Sequence, residues 1–368
     1  MSRTIPAYKN NGFTAEISLL SGFVINEQVI VNGLDLGWIN ITSVDSVVTV
    51  DSAVFTSAIS VGIYKPIFCA NKGATFPTVD ISATLNTNTV DSCFISAIGG
   101  SSNIKYNGAS IDKFETALYA DESGLITGGA NVALTNCSGR PILCQGSAEV
   151  DYSGRNIDAR FAADSIRLAS SSLTANSVDV RDISNVRGLQ VDYGSNFKTV
   201  YLYAGNGQGG AGYYGGISVT SGSNVICTTL SMDRGRGLGA LFINNNSDVS
   251  IIDCTINNSE GSGVFIRGAK LYVAGNGLTC QSSADYSVDC GAGTIISDGN
   301  SDVRYAGIDS LYIHDGSRCV FSQSLNSLTS SGFGINCAGG SIVTVGTLLD
   351  GSTNITPNTF TSSGIIWT

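Results

Sequence analysis

Apolar residues in this chain fall in short runs of three to six, such as Val225-Ile226-Cys227 and Val249-Ser250-Ile251-Ile252, separated by Gly, Ser, Asn and Asp. Runs this short, rich in β-branched residues and bounded by turn formers, predict strands rather than helices. One apolar position recurs from segment to segment: Ile95, Leu118, Ile142, Ile166, Leu189, Ile217, Leu241, Val264, Val288, Leu311 and Ile335. The steps between these anchors are 23, 24, 24, 23, 28, 24, 23, 24, 23 and 24 residues. Spacing this even marks a coil repeat. Eight residues after an anchor stand Ile126, Val150, Phe197, Val225, Val249, Ile296, Cys319 and Val343, while Asn103, Thr174 and Tyr272 break this second column. Turn pairs lie between the columns, among them Gly194-Ser195, Gly222-Ser223, Asn246-Ser247 and Gly316-Ser317. Such residues let the chain bend at small steric cost.

Two apolar columns that face inward on stacked coils predict an all-β fold, a right-handed parallel β-helix built as a single-stranded solenoid. Leucine-rich repeats would show L-x-x-L-x-L in each unit, and helical repeats a 3.6-residue period; neither is present. The best short helix candidate is 111–119, with a loop as its alternative. Three regions are expected. Residues 1–90 form a β-rich cap and the first irregular coils, with strand-like alternation at 27–31, 38–42 and 47–50. Residues 91–350 form about ten to eleven coils. Residues 351–368 form a closing strand or cap, with Trp367 over the final coil. Caps are required because an open terminal coil is an unpaired β edge.

Composition narrows the classes. Gly is abundant at 45 residues and Pro scarce at 5, which excludes collagen. The formal charge of −10, with no basic run, argues against a nucleic-acid groove. The 10 cysteines stand singly and His314 is the only histidine, so no structural zinc site or other cofactor is expected. The cysteines read as reduced, buried small side chains. No apolar run approaches the ~18 to 20 residues of a membrane span. No signal peptide is recognisable at the start, which predicts a product made in the cytoplasm.

Residues 21–55, SGFVINEQVIVNGLDLGWINITSVDSVVTVDSAVF, resemble a segment of bacteriophage tail-fibre and tailspike-type proteins, and 68–77, FCANKGATFP, resembles its usual continuation. The resemblance implies a component of the virion tail, made in the host cytoplasm and released by lysis. It further implies a homotrimer of side-by-side β-helices, other tail proteins as partners, and a host capsule or lipopolysaccharide as the bound, and in many such proteins cleaved, ligand.

A solenoid face offers side chains ~4.8 Å apart from coil to coil, suited to an extended glycan. Sugars are held by aromatic faces and by Asp, Asn, Ser and Arg hydrogen bonds. The 28-residue step contains Tyr201, Tyr203, Tyr213 and Tyr214 in a Gly-rich insertion, and Tyr286 and Tyr305 lie in later turns. Arg234 and Arg236 form the densest charged turn, with Arg155, Arg160, Arg181 and Arg187 as weaker parallels. Glycosidic hydrolysis needs two carboxyl groups across the bond. Asp233, Glu260, Asp285 and Asp309 recur late in successive coils and are the catalytic candidates; the alternative is that they cap turns. His314 beside Asp315 reads as structural or exposed rather than catalytic. Two other functions stay open: a non-catalytic receptor-binding or structural shaft, and a polysaccharide lyase.

Overall fold

In a computed structural model, residues 93–348 are described apart from 101, 185, 186, 206–215, 236, 328 and 329, together with 364–367. Backbone strands alone are described within 3–84, at Leu349 and at Thr359–Ser362. The chain divides into two compact units, Met1–Asp179 and Val180–Thr368. Each is a parallel β-solenoid, and no helix occurs among the described residues. The segment 111–119 is strand as well, in Ser110–Asp112 and Thr116–Asp121. Its apolar residues stack on those of neighbouring coils, and that burial overrides local helix preference.

The anchors lie over one another. In the first unit Ile95 pairs with Leu118, and Leu118 with Ile142. In the second, Leu189, Ile217, Leu241, Val264, Val288, Leu311 and Ile335 pair in turn. The second column also forms, with Ile296 corrected to Ile295 and its three breaks filled by neighbouring residues. Ile104, Leu173, Leu271 and Ile295 take the inward places expected near Asn103, Thr174, Tyr272 and Ile296. Corner length explains them. Ile266 to Leu271 spans one residue fewer than Ile243 to Val249, and a one-residue change flips the facing side chain. Ile296 is therefore 37% exposed and Ile295 fully buried.

The long strands bend to supply a third wall. In Asp248–Asn257, Val249 and Ile251 face inward, then Ile252 and Asp253 both lean outward, and Cys254 and Ile256 resume the core. Two outward residues in succession turn the strand without ending it. At the corners of the second unit, buried serines satisfy backbone donors. The N–H of Ser195 donates to Ser223 Oγ at 3.2 Å, and that of Ser223 to Ser247 Oγ at 3.3 Å. Farther on, Ser317 N–H donates to Ser341 Oγ at 3.1 Å. A small hydroxyl fits a tight corner where an unpaired amide would be costly.

Backbone strands Val29–Asn32, Ile39–Ser43 and Val47–Val50 overlie the three expected strands near the N-terminus. At the other end Ile365–Trp367 pairs with the strand Ile342–Leu349. Trp367 is 61% exposed and stands on an outward column beside Thr344, so it does not cover the final coil. Strand alternation places Ile366, not Trp367, over inward-facing Val343.

The nine described cysteines are free and buried; the side chain of Cys69 lies outside the described residues. Burial pushes the Cys144, Cys227 and Cys280 thiols up to about 12, because the thiolate would lose its hydration. The ordinary thiol value is 9.0. Below it both folded and unfolded chains keep the proton, and the contribution of packing is complete. Between the two values only the unfolded chain releases it, so stability falls as pH rises, by ~1.4 kcal/mol per pH unit for each such thiol. Urea unfolding followed from neutral to alkaline pH is expected to show this decline, and the triple variant C144A/C227A/C280A to flatten it. An equal slope in that variant would assign the decline to other groups.

Candidate polar and aromatic site

A cluster of polar and aromatic side chains lies in the second unit, on the outer side of the anchor strands. Strand alternation builds it. Val264, Ile266, Val288, Cys290, Leu311 and Ile313 face the core. Phe265, Arg267, Asp289, Tyr312 and His314 are thereby turned outward. Register then aligns Phe242, Phe265, Asp289, Tyr312 and Asn336 in one column, and Asn244, Arg267, Gly291 and His314 in the next.

Arg267 and Asp289 form a bidentate pair, with Nη1 to Oδ1 and Nη2 to Oδ2 both at 2.9 Å. The guanidinium lies 3.9 Å from the centroid of Phe265, which stacks on Phe242 at 5.3 Å. His314 reaches back over Gly291, its Nε2 3.0 Å from Asp289 Oδ1 and its Nδ1 2.8 Å from Asp315 Oδ2. Both contacts are hydrogen bonds only when both ring nitrogens carry protons. A Cβ at position 291 would lie 2.7 Å from His314 Cε1 and 3.0 Å from Arg267 Cδ, so glycine leaves the room these side chains occupy. Tyr312 stacks on His314 at 4.5 Å and on Tyr286 at 5.1 Å. Three rings thus form one continuous platform beside an ion pair.

The proposed acids do not share an environment. Asp309 is 5% exposed, and its oxygens accept from Phe333 N–H at 2.6 Å and Asn336 Nδ2 at 2.9 Å. It caps the following coil. Asp285 is exposed and stacks one position away from Asp309, since Ile308 N–H donates to its carbonyl. Burial raises the Tyr286 hydroxyl above its ordinary value, with Asp309, Asp289, Tyr312 and Asp285 adding to the effect. Asp285 and Asp309 therefore both border the aromatic platform. Glu260 is exposed at the neighbouring coil. Asp233 is exposed and accepts from Asn258 Nδ2 at 2.7 Å, with Arg234 Nε 4.0 Å away. Tyr201 and Tyr203 lie on the strand Asn196–Gly205, their rings parallel within 7° and 6.5 Å apart, with Arg181 5.4 Å over Tyr203. Arg236, Tyr213 and Tyr214 lie outside the described residues.

Sequence reasoning missed Arg267, Tyr312 and the role of His314. The residue directly after each anchor was the available signal, since Phe242, Phe265, Asp289 and Tyr312 all occupy it. His314 ends the strand Leu311–His314, and its side chain is 14% exposed.

Compared with protein-family models, with curated proteins and with solved structures, the chain matches none. Fold and cluster define a class: an all-β parallel solenoid with an aromatic and ion-paired outer face.

Proposed function

We propose that this chain is a glycan-binding β-solenoid of the bacteriophage tailspike or tail-fibre type, which holds host capsule or O-antigen on the outer face of its second unit. The observation that carries the reading is the stack Tyr286–Tyr312–His314 beside Arg267 and Asp289. Ring faces take the C–H side of a pyranose, and adjacent polar groups take its hydroxyls. The sequence resemblance at 21–55 and 68–77 supports the viral setting, the homotrimer and attachment to other tail proteins.

Binding is favoured over hydrolysis. Of the adjacent acids Asp285 and Asp309, Asp309 is engaged by Phe333 and Asn336, and the nearby Asp289 by Arg267 and His314, so exposed Asp285 has no available carboxylate beside it. A general acid and its partner carboxylate need oxygens available to the scissile bond. Purified protein incubated with host capsule or O-antigen is expected to retain the polymer without new reducing ends. Tyr312→Ala is expected to weaken retention about tenfold, equivalent to ~1.4 kcal/mol. Reducing ends that disappear in D285N or D309N would establish hydrolysis instead. Products absorbing in the ultraviolet as unsaturated uronates would establish a lyase. Equal retention by wild type and Tyr312→Ala would remove this face from the binding site. A solution mass of one chain would remove the trimer.

A further inference from the structure

One local element occurs in both units, with the sequence Asp-x-Arg-aromatic: Asp158-Ala159-Arg160-Phe161 in the first and Asp302-Val303-Arg304-Tyr305 in the second. The geometry repeats with the sequence. Asp158 accepts from Arg160 Nε at 2.9 Å and Nη2 at 2.8 Å. Asp302 accepts from Arg304 Nε at 2.5 Å and Nη2 at 2.6 Å. The intervening Ala159 and Val303 are fully buried and tie each element to the core. Each clamped guanidinium then lies against the next side chain, 5.5 Å from the Phe161 centroid and 5.1 Å from that of Tyr305.

Both aromatics have φ of 60°, in the left-handed region. The same corner of the second unit carries Asp182, Arg234, Asn258 and Ser282 in left-handed conformation on earlier coils. The backbone N–H groups of Arg234, Asn258 and Ser282 donate to the carbonyls of Asn257, Gln281 and Arg304, which fixes that correspondence. Apart from Arg234 these are short polar residues that tolerate this backbone, whereas a bulky ring adopts it at a steric cost. Burial does not offset the strain, because Phe161 is 50% and Tyr305 47% exposed. Strain kept at an exposed ring points to a contact made outside the fold.

The element also constrains the ligand. Neither copy offers a net positive charge: Asp302 offsets Arg304, and Arg160 is shared between Asp158 and Asp179, whose Oδ2 lies 3.7 Å from its Nε. What is offered is an apolar ring face beside a planar guanidinium whose Nε–Nη2 edge is held in place by the aspartate. A pyranose without a charged substituent matches this, with C–H groups on the ring and a hydroxyl on the guanidinium. We propose that Phe161 with Arg160, and Tyr305 with Arg304, are secondary subsites for neutral pyranose residues of a polysaccharide. The proposal rests on the carbohydrate reading above but uses neither Tyr312 nor His314.

The test is affinity electrophoresis of the full chain in gels containing dextran, mannan or galactan as neutral probes and alginate as the anionic probe. At least one neutral polymer is expected to retard the protein, with little change on adding salt. Phe161→Asn and Tyr305→Asn should each weaken that retardation about fivefold, a size typical of one aromatic contact. Neither should lower Tm, since asparagine relieves the strain. Phe161→Tyr and Tyr305→Phe should retain it. Several results would overturn the proposal: no retardation by any neutral polymer, equal retardation of the asparagine variants, or salt-sensitive retardation by alginate alone. Tyr312→Ala separates the two readings. If it abolishes retardation while the asparagine variants behave as wild type, the main face stands and these subsites fall. The reverse pattern keeps the subsites and removes the main face.

Discussion

Leu311→Asp is expected to prevent the second unit from folding. Leu311 is fully buried and pairs with Val288 on one coil and Ile335 on the next. A carboxylate there meets the apolar side chains of Val288 and Ile335 on the coils above and below. The desolvation of an unpaired charge amounts to several kcal/mol, a large fraction of the ~5 to 15 kcal/mol by which a domain is stable. In a solenoid the effect is shared by the neighbours, because each coil buries its face only against the next. Leu311→Met keeps the volume and should change stability by less than ~1.5 kcal/mol. Circular dichroism and urea unfolding distinguish the two variants. A cooperative, β-rich Leu311→Asp protein with near-normal stability would mean that this column is not the core.

Arg267→Met is the second large effect. Asp289 is 5% exposed and is held by both guanidinium nitrogens and by His314. Removing the arginine leaves a buried carboxylate with one partner in place of two. Breaking such a pair from one side typically destabilises by ~3 to 5 kcal/mol. The lower end applies, since the Arg267 side chain is 34% exposed and water can partly replace it. The double variant Arg267→Met/Asp289→Leu should recover much of the loss, because no charge is then left buried. The corresponding Tm change for a unit of this size is roughly 2 to 4 °C per kcal/mol. Additive single and double effects would show that the two side chains do not act as a pair. The same variant should disturb glycan retention, because Asp289 without Arg267 no longer fixes His314 in a single environment.

Inward residues such as Leu311 maintain the coil, and outward neighbours such as Tyr312 and His314 carry the proposed chemistry. A substitution that abolishes binding while leaving the urea midpoint unchanged therefore belongs to the outer column. Tyr312→Ala is the clearest candidate, since its ring is only partly buried and its removal opens no core cavity.

Much of the fold was legible in the sequence, because parallel stacking is a one-dimensional problem. Each coil must place an apolar residue over the previous one, so a regular spacing of anchors is enough to specify the columns from Ile95 to Ile142 in the first unit and from Leu189 to Ile335 in the second. The turn pairs, the isolated cysteines and the last strand follow from the same rule. Corner length was not legible. A corner one residue shorter moves the core from Ile296 to Ile295 and from Tyr272 to Leu271, and only three-dimensional closure of the coil decides which. The site was legible least. Arg267, Asp289 and His314 are 22 to 47 residues apart along the chain. They become neighbours only because register stacks their strands and Gly291 leaves space between them. Sequence spacing determined which residues share a coil position. Tertiary structure alone decided which of those side chains meet, because hydrogen bonds and ring contacts depend on direction and on ångström-scale distance.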